Sequence, residues 1–174
     1  MSLWGNSDAD ESKPKNLTTA EKKEVYATAS GWVREAGSAL SGNSNTSADP
    51  EVLVAISALS TNLGAADVTE VEWITTAADK SAGFTLSVRV RYNEAVTVTG
   101  NPTLAVTNGN QGSGSGRGPH SLVYASGTGT NELVFSLAIA AANAATNADD
   151  ILTIGAQNIA KPGGATMKDA TGTA

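Results

Sequence analysis

Two runs of strict two-residue hydrophobic alternation constrain this chain more than anything else in it. From Phe84 to Tyr92 every even position is apolar or aromatic, while Thr85, Ser87, Arg89 and Arg91 take the odd ones. Leu133, Phe135, Leu137 and Ile139 repeat the pattern, with Ser136 and Ala138 opposite. A period of two places successive side chains on opposite faces, so each run reads as a strand with one buried and one wet face. Such strands need other elements to cover their apolar sides. Composition agrees: aromatics make up only 5% of 174 residues and there are 18 glycines, which fits short strands and many turns better than a helical bundle. That length suits one main core with a smaller appendage.

Further strands are expected over residues 68–74, 103–107, 121–125, 132–140 and 151–154, with Gly-, Asn- and Pro-rich turns at 79–83, 99–102 and 126–129. This nearly meets the seven-strand count of an Ig-like sandwich. Upstream, residues 25–33 and 51–59 are apolar and flank a Gly/Ser/Asn-rich loop at 37–50. Thr18 and Glu21 form a capping box that makes a helical reading of 25–33 tenable, but Gly31 and the β-branched content favour strands, and the two segments together predict a long-looped hairpin. Residues 1–24 are rich in charge of both signs and read as an arm unable to fold alone. Leu3 and Trp4 near its start are exceptional there; a Trp needs cover, which its own domain or a neighbouring subunit would supply.

Seventeen acidic against eleven basic residues give a formal charge of −6, which argues against sequence-independent nucleic-acid binding. Without cysteine there is neither disulfide nor thiolate metal site. The opening residues lack the basic and apolar regions of a secretory signal, and the most apolar stretch, residues 133–145, is broken by Ser136 and Asn143 and far shorter than the roughly 20 residues of a membrane helix. The expectation is a protein made in the cytoplasm, with no membrane partner.

Chemistry is sparse. His120, the single histidine, lies beside a Gly-rich loop and reads as an exposed loop residue, not a catalytic base. Residues 108–118 lack the Gly-Lys-Ser/Thr that opens a phosphate-binding helix, although Arg117 and backbone donors there are able to meet an anionic surface. The adjacent Asp149 and Asp150 lack EF-hand spacing, so a plain acidic turn is preferred to a metal site. Glu94 reads as the end of its strand, and Arg89 and Arg91 as partners for acids across the sheet. No catalytic, cofactor-binding or metal residue is expected.

Several motifs carry a resemblance. Residues 84–104, the run Tyr124-Ala-Ser-Gly-Thr-Gly-Thr-Asn-Glu-Leu-Val-Phe135 and the closing Met167-Lys-Asp-Ala-Thr-Gly172 resemble, in order and spacing, the bacterial Ig-like repeats of large surface adhesins. The resemblance covers 67–174 and implies an Ig-like β-sandwich, although this chain carries one copy where adhesins carry arrays. Leu3-Trp4-Gly5-Asn6, residues 24–28, Gly31-Trp32-Val33 and residues 50–56 resemble small virion structural proteins of marine tailed phages of cyanobacteria. Together these imply an all-β chain: an extended arm (1–24), a small β region (25–66) and an Ig-like β-sandwich (67–174). They imply a non-enzymatic capsid decoration or cement protein, without cofactor, located on the virion. Its partners would be the major capsid protein or copies of itself in a homo-oligomer, with Leu3, Trp4 and Trp32 as interface anchors. A tail, neck or fibre component and a carbohydrate- or host-surface-binding module are the alternatives.

Overall fold

The computed structural model describes residues 13–14, 16–110, 119–141, 146 and 150–172. Its centre is β5 (Phe84–Thr99), paired antiparallel with β8 (Thr130–Ile139). These are the two alternating runs. Their registers put Leu86 opposite Leu137, Val88 opposite Phe135 and Val90 opposite Leu133, so the apolar sides coincide. From β8 the ladder continues through β7 (His120–Ser126) and β6 (Thr103–Asn110) to β9 (Asp150–Thr153). On the other side of β5 lie β4 (Val68–Trp73) and β10 (Thr166–Lys168), each antiparallel to it. Side chains from β5, β6, β7, β8 and β10 meet in one core around Val88, Val106, Leu122, Leu133 and Phe135, all fully buried.

The N-terminal region adds a three-stranded antiparallel piece: β1 (Val25–Thr28), β2 (Gly31–Arg34) and β3 (Glu51–Ala55). Residues 25–33 therefore make two strands joined by a tight turn, where a single strand was expected. Gly31 is obligatory at that turn. Its φ is +128°, and a Cβ there would sit 2.0 Å from the Val54 carbonyl oxygen. The Thr18/Glu21 capping box is real but serves a five-residue helix, α1 (Thr19–Lys23), upstream of the strands. The end of the expected second strand folds instead as a one-turn helix, α2 (Leu59–Asn62), whose Leu59 joins Val25, Ala27, Trp32 and Leu63 in a second, smaller core.

Among the described residues the strands form one ten-stranded, mixed, open network with little helix. The β-rich expectation holds at that level, whereas two separately bonded layers are not what the hydrogen-bond ladders display. The N-terminal piece joins through a single parallel pair, Ala27 of β1 with Glu94 of β5. No described helix is long and apolar enough to cross a membrane.

Candidate functional site

The charged residues of β4 and β5 face one another. Glu70 pairs in register with Arg91, Glu72 with Arg89, and Glu132 of β8 lies opposite Arg91 on the other side. Arg91 Nε is 3.2 Å from Glu72 Oε2, its guanidinium also meets Glu132, and its Nη1 donates to the Lys23 carbonyl at 2.8 Å. Lys23 Nζ closes the network at 2.7 Å from both Glu70 and Glu72. The hydrogen bond from Lys23 and then that from Arg91 hold the Glu72 carboxyl below its usual range, against the opposing pull of desolvation. The expected cross-strand fate of Arg89 and Arg91 is what the structure contains. With its side chain 7% exposed, Arg91 serves to hold α1 on the sheet, not to meet a ligand.

Between the N-terminal strands and β8 lies a cleft of about 510 Å³, lined among others by Tyr26, Glu35, Thr46, Ser126, Asn131 and Glu132. Burial, reinforced by the negative Glu132, pushes the Glu35 carboxyl up to about 7. Asn131 is 1% exposed, and neither its Oδ1 nor its Nδ2 has a hydrogen-bond partner. A buried amide with both ends unmet calls for a polar occupant, water or a ligand hydroxyl. Sequence reasoning missed this cleft because its walls come from residues about a hundred positions apart.

Glu94 does not end a strand. β5 runs on to Thr99 through a fully buried Glu94, whose two carboxylate oxygens make no hydrogen bond of normal geometry, although the Ala170 backbone N–H favours the charged form. Burial, then the charges of Asp169 and Asp67, raise its carboxyl to about 7. Asp169 ties the C-terminal turn to the start of β4 by accepting from the Ala66 N–H at 3.0 Å and from the Thr171 N–H at 2.8 Å.

His120 corrects another expectation. It is buried at the start of β7, 3.3 Å from Asn108, not exposed on a loop, because the strand begins one residue earlier than the pattern indicated. Trp32 is fully buried in the small core of its own chain, which leaves its indole no surface to offer a partner in this arrangement. Leu3, Trp4, Asp149 and residues 111–118 of the Gly-rich loop, Arg117 with them, lie outside the described residues. Among the described residues no group of three or more His, Asp or Glu is placed to hold a metal ion.

The Tyr-x-Ser-Gly-x-Gly-Thr run has a structural use. The Tyr124 hydroxyl accepts from the Thr128 N–H at 2.7 Å, and its ring meets Phe135 edge-on at 6.1 Å. Gly127, at φ +107°, lies so close to β8 that a Cβ would fall 1.8 Å from the Glu132 carbonyl oxygen.

The opposite face of β4 is bare. Val71 and Trp73 pair in register with Val90 and Val88, so they share the face that those two residues bury, yet they are 44% and 38% exposed. Val68 and Ile74 are exposed as well. Beside them runs a groove of about 370 Å³ lined by Trp73, Thr75, Ala77, Phe84, Leu86 and Leu152. Among the described residues β4 pairs only with β5, which leaves its outer edge open. Neither a protein-family model, nor a curated protein, nor a solved structure matches the chain.

Proposed function

We propose that this chain is a structural virion protein that decorates and stabilises a phage head, with residues 67–174 as an Ig-like module. One contrast carries the reading. Glu70 and Glu72 of β4 are engaged with Arg89 and Arg91 of β5 and with Lys23, while apolar side chains of β4 stay uncovered. Satisfied charges and an uncovered apolar patch suit adhesion better than turnover. The motif resemblance in residues 3–56 supplies the viral context, and that in residues 84–172 the Ig-like module. Repetition over a symmetric shell would multiply modest contacts from each copy through avidity. Mass spectrometry of purified particles tests this: hundreds of copies fit a head protein, a dozen or fewer move it to neck or tail, and absence from particles ends the reading.

A second reading, a carbohydrate-binding module, has one observation in its favour: the Asn131 cleft offers an unmet buried amide beside Tyr26 and Glu35. Titrating the full chain with free mono- and disaccharides, followed by amide shifts at residues 26, 35 and 131, distinguishes it from the first.

A further inference from the structure

We propose that in the free protein the chain's own residues 1–12 cross the open edge of β4 and seat Leu3 and Trp4 against Val71, Trp73 and the groove beside them. The inference concerns the isolated chain, so it stands or fails whether or not the protein sits on a shell.

The patch is an unfinished piece of the main core. Val71 and Trp73 lie on the face where Val90 and Val88 are buried, but no described element covers β4 on that side. Shallow walls of Thr75, Ala77 and Ala78 leave room there for a large flat ring. The occupant's starting point is fixed. Lys13 lies against α1 and β4, in a pocket shared with Thr19, Lys22, Lys23, Thr69 and Glu70, and Lys13 Nζ donates to the Lys22 carbonyl. From there Trp73 is four residues along β4 from Thr69, about 13 Å at strand rise. Trp4 precedes Lys13 by nine residues, so the intervening chain spans up to about 30 Å, ample to round the edge and reach the groove.

Charge agrees with this path. The Lys13 ammonium is brought down to about 8 by burial and by the nearby Arg91 and Lys22, with Glu70 opposing. Lys13, Lys22 and Lys23 line the point where the segment meets the fold, beside Glu70, and the residues just before it include Asp8, Asp10 and Glu11. Besides Met1, Leu3 and Trp4 are the only large apolar residues in 1–12, which makes them the side chains able to complete the patch. A tether of this length holds them near β4 at an effective concentration of about a millimolar, far above that of a second copy in dilute solution.

Because the chain has no cysteine, Ser2→Cys creates a unique attachment point for a nitroxide. In the spin-labelled, isotope-enriched full chain, amide signals of residues 71–75, 84 and 152 are expected to broaden to the same extent on tenfold dilution. The double variant Leu3→Ser/Trp4→Ser, which leaves the described core intact, should abolish that broadening and raise binding of an apolar dye several-fold. Trp73→Ser should abolish the broadening too. No broadening near β4, broadening centred elsewhere, or broadening seen only when labelled chain is mixed with enriched, unlabelled chain would each overturn the proposal; the last would assign the arm to a second copy.

Discussion

The two cores of this molecule are built at different scales. Among the described residues the large one gathers thirteen buried side chains from five strands, and the small one five, arranged around Trp32. Interlocking ladders hold the large core, since β5 and β8 are in register from Phe84 to Arg91. The small core depends on one indole, a single parallel pair to β5 and the ion network that fixes α1. A core with many mutually supporting members loses a fraction of its contacts to one truncation; a core organised around one ring loses most of them.

Paired truncations test that difference most severely. Phe135→Ala should lower the stability of the whole chain by about 4 kcal/mol in urea unfolding. Trp32→Ala removes a comparable side chain, but its effect should concentrate in faster amide exchange over residues 25–55, with residues 84–139 still protected. Equal loss of protection in both regions would show that the two cores unfold as one unit.

The next effect lies where the regions join. Glu94 has a folded-state carboxyl raised from 4.5 to about 7, so the native chain holds its proton more tightly than the unfolded chain does. The stability it contributes is therefore complete below about pH 4.5 and is lost as pH rises through about 7. Glu94→Gln should leave stability at pH 5 nearly unchanged and raise it by about 2 kcal/mol at pH 8, flattening the profile. An unchanged pH profile in the variant would place the dependence on another group.

The smallest expected effect is at the cap of α1. The Thr18 hydroxyl accepts from the Glu21 N–H, and the Glu21 carboxylate accepts from the Thr18 N–H at 2.8 Å. Thr18→Ala should cost about 0.5–1 kcal/mol, read by urea titration, with its exchange signature limited to α1 and the start of β1. A loss as large as that of Trp32→Ala would mean that the helix, not the indole, organises the N-terminal piece.

What the sequence made legible was periodicity. The alternation of 84–92 and 133–139 located β5 and β8 and the faces they bury, and the placing of Arg89 and Arg91 on the wet face predicted their cross-strand pairing. Periodicity says which side of a strand is apolar, but not what covers it, so neither the single open network nor the bare face of Val71 and Trp73 was visible. Glu94 and His120 were misplaced for one reason. A polar residue inside a run looks like a boundary, and only the tertiary surroundings reveal that it is buried. The Glu35–Asn131 cleft was beyond reach because no local signal links the loop after β2 to the start of β8.

One feature of the ladder has a mechanical consequence. β5 is sixteen residues long, pairs with β8 over its first half, and anchors β1 and β10 over its second. A tension directed along it meets the β5–β8 bonds side by side, each worth about 1 kcal/mol, and they must rupture together instead of opening one after another. That strand is the spine through which a load borne by the N-terminal strands would pass to the rest of the chain.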